Sequence, residues 1–435
     1  MSDAPRTAAE KILSLKAGED VRAGDIAVVP VDGAMATDTT APLAIRAFEG
    51  MGGTAVWDPS KLSLVLDHAT PAPNERISTL HTLMRDFAAR NGTYFYDVGD
   101  GICHQLMMDN GHVAPGDLFV GADSHTPTLG AIGAFAVGVG STDLAAVMLT
   151  GRIWLKVPRT LRIELSGSLR RGTYAKDVIL HLVGRHGIAG ATYEAVEFGG
   201  PTVAGMSLAA RMVLANMVAE MGAKTALVDP LGLELPAALD GRDFPDVAPD
   251  FGAEYRAVHS VDVSDLGPQV AVPHSPDSVR DVREVVGTRV NMAFIGSCTN
   301  ARLEVLHVAA AILRGRRLAP GVRLIVTASS RRIFNEALGD GTIQALSEAG
   351  ATFITSGCGP CVGTHQGVPG DGETVISTTN RNFRGRMGNP NANVYLGSPA
   401  VVAASAVAGV IADPGEFLPS EAALAARAAH PGVRG

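Results

Sequence analysis

Three cysteines in two glycine-rich loops offer the most specific chemistry in this sequence: Cys298 in F-I-G-S-C-T-N, and Cys358 and Cys361 in S-G-C-G-P-C-V-G. An odd number of thiols suits a cluster held by three protein ligands. A cubane iron–sulfur cluster has four irons, so three thiolates leave one iron open to substrate. An open position distinguishes a catalytic metal site from a closed structural one. On this reading the loops make a Lewis acid rather than an electron carrier. Two other chemistries use the same residues. A closed zinc site needs a fourth ligand, which His365 can supply from beyond Cys361. Cys358-Gly-Pro-Cys361 is also the tetrapeptide of a thioredoxin-type redox pair, which requires an activated thiolate. Cys103 stands apart and reads as a small packing residue.

Further reactive groups sit where apolar runs stop. L-S-L-V-L leads to Asp67-His68 and L-F-V-G-A to Asp123-Ser124-His125. A-F-I-G-S leads to Cys298, A-T-F-I-T to the Cys358/Cys361 loop, and T-V-I-S-T to Asn380-Arg381 with Arg384 and Arg386 behind. Open parallel sheets bind ligands beyond the carboxyl ends of their strands, so these five terminations agree with one another. The Asp-His pairs, with His104, put imidazoles beside carboxylates, which fixes the tautomer and raises basicity for proton donation to a leaving hydroxyl. The arginines suit bidentate capture of carboxylates. Asn216 and Glu220 are four apart on a helical segment and share a face. Each group also has a plain reading, as a hydrogen-bonded loop end, a solvated arginine loop or a surface pair.

The elements that must position these groups alternate. Strands near Asp25, Leu62 and Leu118 are interleaved with helices from Ala41 and over Ser78–Arg90, which predicts parallel sheets covered by helices. From about Val157 the texture changes, and R-I-E-L-S-G-S-L precedes a helix-rich stretch reaching Leu227. Asp229–Pro276, rich in Pro, Asp and Gly, reads as loops and a boundary. Strand–loop–helix alternation resumes at Asn291. The expected fold class is α/β, with three α/β domains near 1–156, 157–285 and 286–435. The run from Gly130 does not match G-x-G-x-x-G, because Asp143 stands where glycine is wanted, and so reads as close packing.

Composition narrows the classes. In 435 residues, 46% are hydrophobic and 18% charged, a globular balance, and the net charge of −8 comes without a basic block. That argues against nucleic acid as the main partner. The apolar stretches are too short to span a membrane, no signal peptide is evident, and four cysteines suit a reducing compartment. The expected location is cytoplasmic.

D-S-H-T at Asp123, I-G-S-C-T-N at Cys298, G-C-G-P-C-V-G at Cys358 and T-N-R-N-F-R-G-R at Asn380 together resemble the aconitase superfamily. D-H-A-T-P-A-P-N from Asp67, F-Y-D-V-G-D-G-I-C-H-Q from Phe95 and Y-A-K-D-V-I-L-H from Tyr174 extend the match, which is strongest to the isopropylmalate dehydratase branch. The resemblance implies three aconitase-like domains with a [4Fe–4S] cluster in the cleft between them, on Cys298, Cys358 and Cys361. It implies catalytic roles for Asp67, His68, His104, Asp123, Ser124, His125 and Glu220, and substrate contacts for Thr37, Asn216, Asn380, Arg381 and Arg386. The implied reaction is reversible dehydration and rehydration of a malate-type 2-hydroxy diacid. His125 with Asp123, or His104 with a carboxylate, would protonate the departing oxygen. The family's fourth, swivelling domain has no counterpart before Gly435, so a small swivel-domain subunit is the expected partner, in a heterodimer or heterotetramer. Thr37 departs from the pattern, since the branch usually has histidine there and aconitases glutamine. Homocitrate, dimethylmalate, citramalate and citrate therefore stay open as substrates. A non-enzymatic cluster or RNA-binding sensor is the reading from another class.

Overall fold

The computed structural model describes residues 4–419. Its first sheet is wholly parallel, in the order Tyr94–Tyr96, Leu62–Val65, Gly33–Thr37, Leu118–Gly121, Phe135–Gly138. Leu62–Val65, Gly33–Thr37 and Leu118–Gly121 are buried throughout, as expected of strands covered on both faces. A second parallel sheet runs Thr225–Val228, Ala195–Gly199, Thr160–Ser166, Ala257–Asp262. The third has seven strands: Val279–Asp281, Gln269–Ala271, Asn393–Gly397, Thr374–Ser377, Met292–Ile295, Arg323–Val326 and Thr352–Phe353. It is antiparallel only where Gln269–Ala271 meets its two neighbours. The α/β class is what the alternating pattern predicts.

Local signals set the elements. Glu75–Asn91 starts where the Asn74 side chain accepts from the Ile77 N–H and stops at left-handed Gly92. Two regions depart from the sequence reading. The "helix-rich" stretch contains Ala195–Gly199 and Thr225–Val228, strands too short to stand out between helices. The Pro/Asp/Gly passage supplies Ala257–Asp262 to the second sheet and Gln269–Ala271 to the third. Ile26–Pro30 leaves the first sheet and pairs antiparallel with Arg152–Lys156. The glycines from Gly130 do mark close packing: a Cβ on Gly130 would overlap the Ala226 carbonyl. Among the described residues no helix is long and apolar enough to cross a membrane.

One buried carboxylate ties two strand ends of the first sheet together. Asp38, just after Gly33–Thr37, accepts from the backbone N–H groups of His68 (2.8 Å), Ala69 (2.7 Å) and Asp67 (3.2 Å), with His81 Nε2 at 3.3 Å. Burial would raise its pKa, but His81, the nearby His68 charge and the amides bring it down from 3.8 to about 2. A depressed carboxylate stabilises the fold above its unfolded pKa and loses that contribution as pH falls toward the folded one. Asp38→Asn should therefore cost about 2 kcal/mol at pH 7 in urea unfolding, and the difference from the wild type should shrink between pH 4 and pH 2.

Candidate cluster and acid–base site

The carboxyl ends of the first and third sheets converge on a cavity of ≈ 860 Å3. Its walls carry Cys298, Cys358 and Cys361, His68, His104 and His125, Asp123, Ser124, Asn380, Arg381 and Arg386. Strand Met292–Ile295 ends just before Cys298, and Ser297 between them lies at φ +76°, a conformation that costs a non-glycine residue about 1–3 kcal/mol. Its Oγ accepts from the Thr299 N–H at 3.3 Å. The Cys358 N–H donates to the Asp67 carbonyl at 2.7 Å, joining the two sheets directly. The loop of Cys361 touches that of Arg386 through two glycines: a Cβ on either Gly363 or Gly388 would overlap the other's backbone.

The acid–base groups form two connected sets. Asp67 takes His68 Nδ1 at 2.7 Å on one oxygen and the Cys103 N–H at 2.8 Å on the other. His68 Nε2 and His104 Nε2 then reach the two oxygens of Asp123, at 3.3 and 3.2 Å. In the second set His125 Nε2 pairs with Glu220 at 2.9 Å. Arg381 Nε also donates to Glu220, at 3.0 Å, and its Nη1 donates to Ser124 Oγ at 3.0 Å. The carboxylate partner of His125 is thus Glu220; its Nδ1 lies 3.4 Å from Ser124 Oγ and 3.9 Å from Asp123. Asn216 and Glu220 are both buried rather than a surface pair, but the α-helix ends at Met217 and Glu220 lies in the 3-10 turn Val218–Met221; Asn216 donates to Cys298 Sγ at 3.1 Å. Asn380 Nδ2 reaches the same sulfur at 3.5 Å, and Arg386 Nη2 reaches Cys361 Sγ at 3.8 Å.

Thr37 lies behind the wall. It is fully buried with its hydroxyl 3.0 Å from that of Thr39, and Thr39 and Thr40 face the cavity instead. Asp38, Thr39 and Lys224 escaped the sequence reading; the first two stand at a strand end like the others, whereas nothing local marks Lys224.

Electrostatics separate the groups. Burial opposes charge on His104, yet Asp123 and Cys298 raise it to about 10. His68 goes well above its usual value against the same burial, through Cys358, Asp67 and Asp123. The two imidazoles hold Asp123 well below the usual carboxylate range although burial would raise it. Cys298 drops to about 6 because His104 and His125 outweigh burial, whereas burial keeps Cys358 and Cys361 raised. All four cysteines are free thiols.

Three buried soft donors on one cavity fit a metal group. Among the described residues, however, the only three-donor set compact enough for one ion is Asp67, His68 and Cys358, within 4.8 Å of one another. Asp67 is already committed to His68 and to the Cys103 amide, so that set reads as an oriented imidazole beside a thiol. The three cysteines do not form such a compact set.

A buried thiol set beside paired imidazoles and arginines is the equipment of an iron–sulfur hydro-lyase. A family model described as "Aconitase family (aconitate hydratase)" matches residues 10–232 and 283–409, and the chain belongs to the aconitase family. The family implies an iron–sulfur cluster. Similar proteins include "3-isopropylmalate dehydratase large subunit 1" of Methanopyrus kandleri, 50% identical over 95% of this chain and 100% of the relative. "Probable methanogen homoaconitase large subunit" of Methanothermobacter thermautotrophicus is 47% identical over 93% and 96%. Among solved structures, Thermococcus kodakaraensis aconitase X in its holo-form covers 86% of this chain and 90% of its own at 13% identity, with a TM-score of 0.49.

Asp123 is the main group opposing burial at His104. In the cluster-free protein, Asp123→Asn should lower the His104 titration by about one pH unit or more, read by imidazole NMR. An unmoved titration would remove Asp123 from this role.

Proposed function

We propose that the chain is the large catalytic subunit of a [4Fe–4S]-dependent hydro-lyase. It reversibly dehydrates and rehydrates a malate-type 2-hydroxy diacid, and the reading taken first is the interconversion of 2- and 3-isopropylmalate through isopropylmaleate. The observation that carries this is the convergence of three free, buried thiols with the Asp123-bridged imidazoles and the arginines on one cavity. Cys298, Cys358 and Cys361 would hold the cluster, which supplies a Lewis-acidic iron to the substrate's hydroxyl end.

The rest of the work falls to side chains. His68 and His104, both raised above the usual imidazole range with Asp123 among the causes, are suited to supply a proton to the departing hydroxyl, and Asp67 fixes the His68 ring. Arg386 is suited to a substrate carboxylate: its Nε is buried without a partner among the described residues. Arg381 is anchored by Glu220 and Ser124 with its fork at the cavity, where a second carboxylate fits. Asn216 and Asn380 orient Cys298. Val139, Val362, Pro127 and Ala219 also line the cavity, and their apolar side chains suit an alkyl branch. Removal of the carbon-bound proton is assigned to a small swivel-domain subunit. Support comes from relatives that carry "large subunit" in their names over nearly the same length. A cytoplasmic location accords with four free thiols.

The homoaconitase reading keeps one specific observation, the Lys224 ammonium on the cavity wall, a partner for a third carboxylate. The test is anaerobic co-expression with the small subunit, then hydration assays on isopropylmaleate, citraconate, dimethylmaleate, cis-aconitate and homoaconitate. Isopropylmaleate is expected to be preferred. Cys298→Ser, Cys358→Ser or Cys361→Ser should each remove iron and abolish hydration. Protein that takes up only zinc and yields no cluster on reconstitution would overturn the proposal.

A further inference from the structure

Two buried cations lie beneath the cysteine loops with no carboxylate hydrogen-bonded to them among the described residues. Lys176, in the first turn of Ala175–His186, donates through Nζ to the carbonyls of Thr379 (2.6 Å) and Thr378 (3.1 Å) and lies 3.1 Å from Met217 Sδ. Arg302 caps the start of Leu303–Leu313. It donates to the carbonyls of Cys298 and Thr299, both at 2.8 Å, and its Nε faces Met212 Sδ at 3.1 Å. The two sulfurs come from one helix, Leu208–Met217, which passes between the cations.

A charge in a low-dielectric interior is costly unless an anion compensates it. Carbonyls and thioether sulfurs offer only partial charges. Arg211 is also fully buried on carbonyls, those of Met206, Asp229 and Leu231, but these lie outside the cysteine loops. The carbonyls under Lys176 and Arg302 belong to the backbone of Cys298–Thr299 and Thr378–Thr379, and the latter pair runs straight into Asn380-Arg381. The groups acting on Lys176 against burial are Glu220, Cys298, Cys361 and its neighbour Asp177, and burial still brings it down to about 7. Those acting on Arg302 are Cys298, Asp109 and Glu304. Cys298 is common to both.

We infer that Lys176 and Arg302 are built-in counter-charges for the thiolate-held cluster, positioning residues that act on it through the main chain and set its reduction potential and retention. The inference rests on the iron–sulfur reading above. A fixed positive charge favours the more reduced cluster, so neutralising one should move the potential in the negative direction and ease oxidative loss. Hydrogen bonding to the loops alone would not distinguish a charged donor from a neutral one in this way.

The wild type, Lys176→Gln, Lys176→Arg, Arg302→Gln and Arg302→Lys would be reconstituted anaerobically. Iron and sulfide content, midpoint potential by EPR-monitored titration, and the rate of cluster loss in air would then be measured. The Gln variants should have more negative midpoints and lose the cluster several-fold faster, while the Arg and Lys variants stay near the wild type. Unchanged midpoints in the Gln variants, or equal shifts in the charge-retaining pair, would overturn the inference. So would failure of both Gln variants to fold while the charge-retaining ones fold, because the cations would then be props for the loops. If one Gln variant alone fails, the other decides. A wild type that assembles no cluster fails earlier and defeats the functional proposal itself.

Discussion

Asp67 is the junction on which the site depends. Its carbonyl receives the Cys358 amide, one carboxylate oxygen receives the Cys103 amide, and the other orients His68. A single residue at one strand end therefore fixes a ligand loop of the third sheet, the helix that carries His104, and an imidazole of the first. Asp38 supports it from behind by holding the amides of residues 67–69. Three loops from separate parts of the chain acquire a common origin, and the cavity is what is left between them.

Around that junction the charges are arranged in advance of any substrate. Asp123 carries two imidazoles, Glu220 carries an imidazole and a guanidinium, and each carboxylate is lowered by the partners it raises or anchors. Beneath them Lys176 and Arg302 supply positive charge through backbone carbonyls. On the proposed reaction, such an arrangement would limit reorganisation, because the groups are held in place before substrate binds.

The sequence revealed those parts of the molecule in which chemistry and periodicity fall at the same place. Buried parallel strands such as L-S-L-V-L are continuous apolar runs, and their polar stops are conspicuous. The family resemblance then placed roles on residues most of which the structure brings to one cavity, with Asp67, Asn216 and Glu220 supporting it from behind and Thr37 turned away. The second sheet was less legible because A-V-E-F-G and T-A-L-V are too short to outweigh neighbouring helices. R-A-V-H-S-V-D alternates in exposure and is hidden among Pro, Asp and Gly. Lys176 and Arg302 left no local signal, since a buried cation and a solvated one look alike along a helix. His125 was paired with its neighbour Asp123, whereas the chain folds a carboxylate from 95 residues away onto its Nε2. Thr37 shows how an alignment position differs from a contact: its hydroxyl turns back into the Thr39–Thr40 turn.

The touching glycines Gly363 and Gly388 have a consequence for how this protein can diverge. They lock the loop that carries Cys361 to the loop that carries Arg386, with no room for a side chain between them. Neither loop can be remodelled without displacing a ligand. New substrate ranges therefore have more room to arise elsewhere on the cavity lining, around Thr39, Thr40 and Val139. Descendants of this chain could exchange the tail of the diacid they accept while inheriting its head unchanged.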